Sequence, residues 1–336
     1  MAKTEQPAAR VGKPQDDFPH RPNDPLTFFL VFIWLGAVLI FVTLAFSVLL
    51  IPSRTYKLFM GSLLFILGVI PLPTRNSKNP VHVLGYKLGN RIMLAACYYF
   101  GLKIIRSGAP MPANPKGHGA IVAMEPHDIL PYAIFAFAKD DLFPEFPPGV
   151  GLMTSAVFSL PWVRQIYSYC LAGSIDKKNF ARNLKEGNLC VMIPGGVQEV
   201  ALQQKQPPGS IALYLNKRKG FVKLALQHGS TIIPSFTFNY DGSFRTWIPE
   251  DTLGLNKKLG FLPMLYFGRG GIPLGIPNPP NRITVTVGEP ISVPLIEEPT
   301  QEDIDRVHKQ FVEGMVKTFE DNKVKAGYEK RTLVIL

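Results

Sequence analysis

The sequence "AIVAMEPHD", residues 120–128, runs directly from an apolar stretch into a polar turn that contains one histidine, His127. Short apolar runs bounded by turn residues are typical of strands that are buried on both faces of a sheet. Three similar runs follow, at residues 188–193, 230–238 and 282–287, with helical patterns between them. Buried strands that alternate with helices predict an α/β domain with a central, mostly buried sheet flanked by helices.

Three segments have the spacing of amphipathic helices. Residues 81–106 carry apolar side chains at helical spacing and end in basic residues, and residues 218–229 show a similar pattern that stops at a glycine. Near the C-terminus, Thr300 and Asp303 form a capping pattern before an apolar stripe, which we expect to pack on the sheet. The stripe consists of Ile304, Val307, Phe311, Met315 and Phe319.

The N-terminal part of the chain has the composition of a membrane anchor. Residues 26–51 are 26 positions without a charge, longer than the roughly 20 that a helix needs to cross a bilayer. A shorter apolar stretch follows, so we predict an anchor hairpin over residues 26–72 after a flexible cytosolic tail at residues 1–25. Arg54 and Lys57 in the connecting turn favour the cytosolic side, and a hairpin that enters one leaflet is therefore an alternative to a full span.

The composition narrows the classes of partner. The chain has 36 Lys and Arg against 25 Asp and Glu, a net charge of +11, which suits a phosphorylated cofactor or an anionic membrane surface. No zinc-finger spacing or aromatic RNA-binding signature is present, so we expect no nucleic-acid partner. Three scattered cysteines, Cys97, Cys170 and Cys190, predict buried thiols and a domain on the cytosolic side.

Two polar turns carry the candidate chemistry. His127 follows a predicted strand, at the end where open α/β sheets place their ligand sites. A histidine there can act as a general base, but taken alone it is more often an ordinary loop residue, because loop histidines are common. The strand at residues 188–193 also runs into a turn, formed by Pro194, Gly195 and Gly196, whose backbone N–H groups can hold an oxyanion or a phosphate. If the two strands lie side by side, both turns face one pocket.

Several other site types are excluded by the sequence. No Gly-x-Ser-x-Gly elbow, Walker loop or His-Glu-x-x-His helix occurs. The glycine-rich residues 268–273 lack the third glycine of a dinucleotide fingerprint and lead into prolines that cannot open a helix. The six histidines show no ligand spacing with cysteines or paired acids, so we expect no metal site.

In five ordered blocks the sequence resembles the type 2 acyl-CoA:diacylglycerol acyltransferases, a family that includes monoacylglycerol and wax-alcohol acyltransferases. The resemblance covers about residues 90–295. The blocks are "YYFGLKIIRSG" at 98–108, "EPHD" at 125–128, "IPGGVQE" at 193–199, "RKGFVKLALQHGSTIIPSFTFN" at 218–239 and "GRGGIP" at 268–273. Glu125 stands where animal members usually have a second histidine and plant or algal members have glutamate, so the chain is similar to the plant or algal branch. Asp128 replaces the usual glycine or serine.

The resemblance implies a glycerolipid-acyltransferase-like fold, with an acyltransferase catalytic domain at residues 81–327 and a C-terminal tail at residues 328–336. The implied reaction moves a fatty acyl group from acyl-CoA to the hydroxyl of diacylglycerol, giving triacylglycerol. His127 would act as the base in a direct transfer, without a cofactor beyond the acyl-CoA substrate. Related enzymes have an aspartate five positions after this histidine; here that position is Tyr132. The candidates for the orienting acid are, in order, Glu199, Asp128 and Glu125.

The resemblance also implies the partners. Basic candidates for the phosphates of coenzyme A are Arg218, Lys219, Lys223 and Arg269. The expected location is the endoplasmic reticulum membrane with the catalytic domain facing the cytosol, and lipid droplets are a second site; a homo-oligomer is compatible with the sequence. Residues 261–277, apolar and rich in proline and glycine, are expected to line the lipid route. Monoacylglycerol or a fatty alcohol is an alternative acceptor, and a non-catalytic lipid-droplet or membrane scaffold is the alternative from another class.

Overall fold

The computed structural model describes residues 16–73, 77–106, 119–139, 142–143, 149–240, 242–249, 264–278 and 282–336. The helices are α1 (Pro25–Leu35), α2 (Ala37–Leu50), α3 (Arg54–Val69), α4 (Pro80–Tyr99), α5 (Phe135–Ala138), α6 (Val163–Tyr169), α7 (Lys177–Lys185), α8 (Gln198–Gln203), α9 (Gly220–His228) and α10 (Gln301–Lys323). The strands are β1 (Lys103–Arg106), β2 (Ala120–Glu125), β3 (Gly149–Met153), β4 (Ala172–Ser174), β5 (Leu189–Met192), β6 (Ser210–Leu213), β7 (Ile232–Phe238), β8 (Arg245–Trp247), β9 (Leu265–Phe267), β10 (Thr284–Val287) and β11 (Thr332–Ile335).

The four predicted strands are confirmed as β2, β5, β7 and β10 of one mixed sheet. This seven-stranded sheet has the order β1-β10-β7-β2-β5-β3-β4. Five strands from β7 to β4 run parallel, whereas β10 is antiparallel to β7 and carries β1 beside it. Smaller two-stranded sheets pair β6 with β11 and β8 with β9. The carboxyl ends of β2, β5 and β7 therefore lie at one edge of the main sheet.

Helices cover both faces of this sheet, because successive side chains of a strand point to opposite faces and both sets are apolar. On one face, Val122 and Val191 pack with the cluster that includes residues of α1, α4 and α5. On the other, Ile121 and Cys190 pack with residues of α7, α9 and α10. The predicted stripe of α10 belongs to this second layer, where Phe311 is fully buried. The expected α/β architecture with a buried central sheet is confirmed.

The predicted helix over residues 81–106 was too long at its C-terminal end. Helix α4 stops at Tyr99, the chain turns at Gly101 with a φ of +53°, and residues 103–106 form strand β1. Ile104 and Ile105 of this strand pair with Val285 and Thr286 of β10. β-branched residues favour a pleated, paired strand, and the partner strand lies far away in sequence.

The predicted flexible tail was wrong for residues 16–24. Phe18 is only 1% exposed and packs in the core beneath α4. The Ile104 N–H donates to the carbonyl of Asp16 at 2.7 Å, and the Phe18 N–H donates to that of Leu102 at 2.8 Å. Burial of one large aromatic ring stabilises the fold by a few kcal/mol, enough to fix this short segment. Residues 1–15 lie outside the described residues.

The predicted single apolar span of residues 26–51 is broken at Gly36 into α1 and α2, which are bent by 67°. No individual helix within the described ranges has the length and apolar character needed to cross a bilayer, but α1 and α2 taken together do. Val31 and Leu35 of α1 are buried against the domain, because this helix packs along α4. In contrast, α2 and α3 expose large apolar side chains, among them Leu49 and Phe65.

The predicted C-terminal tail, residues 328–336, is an integral part of the domain. Strand β11 pairs in parallel with β6, so that Leu333 lies opposite Ile211. Tyr328 is buried, and its hydroxyl accepts the N–H of Asn239 just after β7. The end of the chain is thus held beside the carboxyl edge of the main sheet.

Candidate active site

The two turns selected from the sequence meet at one edge of the sheet. Strands β2 and β5 are parallel neighbours, with Ala123 opposite Met192. The loop with His127 follows β2, and the Pro194–Gly196 turn follows β5, so both leave the sheet on the same side. This confirms that the two turns share one face, which was the condition for a common pocket.

His127 is held in a single orientation and tautomer. Its Nδ1 lies 2.6 Å from the backbone carbonyl of Asp128. Because a carbonyl only accepts, Nδ1 carries the hydrogen and Nε2 keeps its lone pair. Desolvation lowers the pKa of His127 to about 4, with Arg218 also contributing a lowering. The imidazole is therefore neutral at physiological pH, the state that a general base needs before it takes a proton.

Glu199 fixes the loop of His127 through the backbone. One of its oxygens, Oε2, accepts the His127 N–H at 2.9 Å, and the other accepts the Tyr214 N–H at 2.7 Å. The carboxyl group is 2% exposed, and burial raises its pKa to about 7. Glu199 lies in the first turn of α8, and its carboxyl group therefore joins the β2 loop to the segment after β6.

Glu125, the last residue of β2, forms a second buried carboxyl group beside Glu199. It is fully buried and its Oε1 accepts the Gly195 N–H at 2.7 Å. Burial, reinforced by the neighbouring Glu199, raises the pKa of Glu125 well above its ordinary value. Its Oε2 has no hydrogen-bond donor among the described residues, and the group that it interacts with is another carboxyl. One proton shared between the Glu125 and Glu199 carboxyl groups forms a hydrogen bond that satisfies both.

These contacts explain why glycine is required at position 195, and they correct the predicted role of its N–H group. A side chain at Gly195 would place its Cβ only 1.9 Å from Oε1 of Glu199, so no other residue fits. The Gly195 N–H is already bound to Glu125 and is not directed at a reacting group. Its predicted role as an oxyanion donor is therefore not supported. Gly196, with a φ of +69°, is the remaining candidate of the pair, since its N–H has no acceptor among the described residues.

Asp128 contributes its backbone rather than its carboxylate to the orientation of His127. Its φ is +50°, in the left-handed region that glycine adopts without strain and aspartate adopts better than most residues. In this conformation its carbonyl accepts the imidazole Nδ1–H. Glu199 and Glu125 accept backbone N–H groups, and the acceptor that orients the ring is the main-chain carbonyl of Asp128.

Arg218 lies at this site and not on a free basic surface. Its Nη2 donates to the carbonyl of Gly195 at 3.1 Å, and its guanidinium lies 4.9 Å from the centre of the Tyr214 ring. Its positive charge lowers the pKa values of the two buried glutamates and of His127. Its Nε is buried without a hydrogen-bond acceptor among the described residues. Arg218 therefore stabilises negative charge at the turn.

The two lysines have different surroundings. Lys219 forms a salt bridge with Asp305 of α10, with 2.6 Å between Nζ and Oδ1. Lys223 is exposed and lines a cavity of about 330 Å³ together with Lys177 and apolar residues such as Phe180. Of the predicted phosphate-binding residues, Lys223 thus has the most accessible charge.

Arg269 holds the N-terminal segment in place. Its Nη1 donates to the carbonyl of Pro22 at 2.7 Å, its Nη2 donates to the side chain of Asn23 at 2.6 Å, and it lies 5.2 Å from the ring centre of Phe28. The guanidinium therefore has a structural partner at the start of α1. No described contact brings it to the two turns.

Comparison with known proteins decides the family. The family described as "Diacylglycerol acyltransferase" matches residues 49–336. The chain belongs to the diacylglycerol acyltransferase family. This confirms the resemblance, and membership makes the chain an acyltransferase. Its assignment to a plant- or algal-like branch stays a prediction.

Curated relatives of this diacylglycerol acyltransferase family member are about a third identical to it over the aligned region. Diacylglycerol O-acyltransferase 2-like protein 6 of Homo sapiens is 31% identical over 68% of the chain and 72% of its own length. Diacylglycerol O-acyltransferase 2 is 31% identical in Bos taurus, over 68% and 66%, and 32% identical in Danio rerio, over 70% and 69%. The matched region thus spans about two thirds of these relatives.

Among solved structures, one that is similar to the chain at low identity is an acyltransferase of another kind. It is the crystal structure of the 1-acyl-sn-glycerophosphate acyltransferase PlsC from Thermotoga maritima, with a TM-score of 0.42 and 12% identity. The similarity covers 88% of this chain and 96% of that one.

The acyltransferase has a cavity next to these loops that the sequence did not reveal. Its volume is about 240 Å³, and Asp128 and Glu199 form part of its wall. Tyr328 and Arg331, from the segment expected to be a tail, line it as well. Long-range pairing of β6 with β11 brings them there, and no local pattern signals that pairing.

The remaining expectations about the site concern metals and thiols. Within the described ranges, no group of three or more His, Cys, Asp or Glu side chains is placed to hold a metal ion; the expectation of no metal and no cofactor stays a prediction. All three cysteines are free and buried, as predicted. Burial raises the pKa of the Cys190 thiol to about 12, so it is a packing residue and not a nucleophile.

Proposed function

We propose that the chain transfers the acyl group of acyl-CoA to the free hydroxyl of diacylglycerol and forms triacylglycerol without a covalent enzyme intermediate. The observation that carries the proposal is the fixed tautomer of His127, whose Nδ1–H is bound to the Asp128 carbonyl while Nε2 keeps its lone pair. An alcohol is a poor nucleophile at neutral pH, and a positioned base raises the rate of such reactions by about 10² to 10⁴.

In the proposed reaction, the acceptor oxygen attacks the thioester carbon while Nε2 of His127 takes the hydroxyl proton. The carbonyl oxygen becomes an oxyanion, which the Gly196 N–H and the charge of Arg218 stabilise. The intermediate then collapses and breaks the carbon–sulfur bond. His127 returns its proton to the departing sulfur, so coenzyme A leaves as the thiol and the base is restored. The low pKa of His127 favours this return.

Glu199 and Glu125 act as positioning residues in this scheme. Glu199 fixes the backbone of His127, and Glu125 fixes that of Gly195. Their shared proton lets two carboxyl groups occupy one buried site without two full charges. The geometry of both turns therefore depends on the pair.

The proposed location is the endoplasmic reticulum membrane, with the catalytic domain facing the cytosol, and lipid droplets are the second proposed location. Support comes from α2 and α3, where Leu49 and Phe65 are 71% and 69% exposed. Apolar side chains exposed to this extent along two adjacent helices are typical of a membrane-contacting surface. Residues 26–72 would form this anchor, either as a bent span or as a hairpin in one leaflet.

The phosphates of coenzyme A are proposed to bind near Lys223, whose charge is exposed. Monoacylglycerol and fatty alcohols remain alternative acceptors, because the hydroxyl chemistry is the same and the pocket decides. A scaffold without activity is the alternative of another class. The fixed base and the buried carboxyl pair favour the enzyme.

The test is an acceptor comparison in microsomes from cells that cannot make triacylglycerol. The full chain is supplied with labelled oleoyl-CoA and with diacylglycerol, monoacylglycerol or hexadecanol. We expect labelled triacylglycerol to be the main product when diacylglycerol is the acceptor. A preference for another acceptor would change the substrate, and no labelled product with any of the three would favour the scaffold.

A further inference from the structure

We propose that the cavity of about 240 Å³ beside the β2 loop binds the polar head of the neutral acceptor glyceride, whereas acyl-CoA enters from a different side. This assignment rests on the proposed function, and it names the part of the molecule that selects the acceptor. The cavity is formed by the β2 loop, α8, β6, the end of β7 and the C-terminal segment.

The position of the cavity matches the expected place of a substrate. Its wall includes Pro126 and Asp128 after β2, Glu199 after β5, and Thr237 at the end of β7. These are carboxyl ends of adjacent parallel strands, where open α/β sheets bind their ligands. Pro126 and Asp128 flank His127 in sequence. A hydroxyl bound here therefore lies beside the loop that carries the base.

The size of the cavity suits the head of a lipid and not the whole lipid. Small-molecule pockets are typically about 300 to 1,000 Å³, and this cavity is slightly smaller. Its rim residues Gln204 and Gly242 are exposed, so it is open to the surface. The glycerol and ester groups fit inside while both acyl chains remain outside.

The acyl chains have an apolar surface to follow. Thr246 of β8 lies in the cavity wall, and the next residue, Trp247, is 61% exposed. Trp247 pairs in register with Leu265 of β9, which is 47% exposed. An exposed tryptophan beside an exposed leucine is typical of protein that meets lipid.

The charges of the cavity select a neutral ligand. Its described lining residues include two acids, Asp128 and Glu199, and one cation, Arg331. A glyceride hydroxyl can donate to a carboxylate. Because Arg331 is offset by Asp128 and the Glu199 carboxyl shares a proton with Glu125, the wall has no surplus of positive charge to bind the phosphates of coenzyme A.

The second cavity has the opposite character. Its described lining includes Lys177 and Lys223 and no acidic residue, and Met192 at the end of β5 forms part of the wall. Two accessible ammonium groups above an apolar floor suit a ligand with phosphates and a hydrophobic part. The two cavities therefore divide the substrates by charge.

The first test narrows the cavity by one side chain. Thr246→Trp places a large ring in the wall, and Gln310→Trp places the same ring on the exposed face of α10, outside the described lining of both cavities. We expect Thr246→Trp to raise KM for diacylglycerol about tenfold, equivalent to about 1.4 kcal/mol of binding, with KM for oleoyl-CoA unchanged. Gln310→Trp should leave both KM values unchanged. A rise only in KM for oleoyl-CoA, or equal effects of both variants, would overturn the assignment.

The second test detects binding directly in the wild-type chain, so it requires neither catalytic turnover nor a substitution in the cavity wall. The full wild-type chain, in detergent without acyl-CoA, is labelled with a diacylglycerol that carries a diazirine next to one ester carbonyl. We expect cross-links in peptides containing Gln203, Ser210 or Arg331, suppressed by excess diacylglycerol and not by coenzyme A. Cross-links confined to peptides with Lys177 or Lys223, or to residues 26–72, would contradict the proposal.

The proposed function and the acceptor assignment can fail separately. If the wild-type chain makes triacylglycerol but the label avoids the cavity, only the acceptor assignment fails. If the wild-type chain acylates no acceptor, the proposed function fails, whatever the label shows.

Discussion

Glu199 and His127 are joined through the backbone: Oε2 of Glu199 accepts the His127 N–H at 2.9 Å, and the imidazole is held separately by the Asp128 carbonyl. The carboxylate thus determines where the loop lies, and a main-chain carbonyl determines how the ring is turned. This division differs from a catalytic triad, in which a carboxylate bonds directly to the ring.

The first prediction concerns this backbone tie. Removal of the Glu199 carboxyl by Glu199→Ala frees the His127 N–H and the Tyr214 N–H, so the loop loses its fixed position. We expect kcat to fall about 10²-fold, the scale of a 1 Å misplacement, with KM for oleoyl-CoA little changed. Glu199→Gln keeps one acceptor oxygen and should recover part of kcat. Wild-type kcat in Glu199→Ala would exclude the positioning role.

The second prediction concerns stability against pH. Burial raises the pKa of Glu199 to about 7 from an ordinary value of 4.5, so the folded chain keeps a proton that the unfolded chain has released. The stability from this group is complete below pH 4.5 and is lost as the pH rises towards about 7. Glu199→Gln removes this titration. The thermal midpoint of Glu199→Gln minus that of wild type should therefore be larger at about pH 8 than at about pH 5.

Thermal unfolding in detergent at these two pH values measures that difference. Lys223→Gln, at an exposed position of α9, is the control for a charge change outside the buried pair. An equal offset between Glu199→Gln and wild type at both pH values would show that the carboxyl pair does not titrate in this range.

The third prediction concerns the left-handed residue of the catalytic loop. Asp128 has a φ of +50°. Glycine adopts this conformation without cost, and a β-branched residue is strained there by about 1 to 2 kcal/mol. Asp128→Gly should keep thermal stability and the Nδ1–H bond of His127, whereas Asp128→Val should lower both stability and kcat. Activity assays and thermal unfolding of the two variants decide this, and equal behaviour would refute the backbone explanation.

The fourth prediction separates the two glycines of the turn. A Cβ at Gly195 would lie 1.9 Å from Oε1 of Glu199, whereas a Cβ at Gly196 would have only Arg218 nearby, at 3.6 Å. Gly195→Ala should therefore displace the carboxyl pair and abolish activity and much of the stability. Gly196→Ala should cost about 1 kcal/mol of backbone strain and leave a folded protein. The reverse order in thermal unfolding would contradict the described geometry.

The sequence predicts this fold well where the signal is local. Apolar runs bounded by turns predict β2, β5, β7 and β10, and the Thr300 cap predicts the start of α10, where both reciprocal hydrogen bonds are present. The carboxyl-edge position of His127 also follows from its strand. These features depend on residues close in sequence, so periodicity and turn chemistry are sufficient.

Other features depend on partners far along the chain. Strand β1 continues the apolar spacing of α4 and becomes a strand only because β10 lies beside it. Phe18 is buried by residues that follow it by about 80 positions or more. The bond from Gly195 to Glu125 is equally non-local, and it changes the assigned role of Gly195. No local pattern contains this information.

The central claim is that His127 is the general base, and its direct test is the rate of labelled triacylglycerol synthesis by His127→Ala. The matched control is His82→Ala, because His82 is bound to Ser77 at the start of α4, away from both turns. With equal protein levels, we expect His127→Ala to lose about 10²-fold or more of the rate and His82→Ala to retain it. Equal rates in His127→Ala and wild type would contradict the account and leave His127 as an ordinary loop histidine.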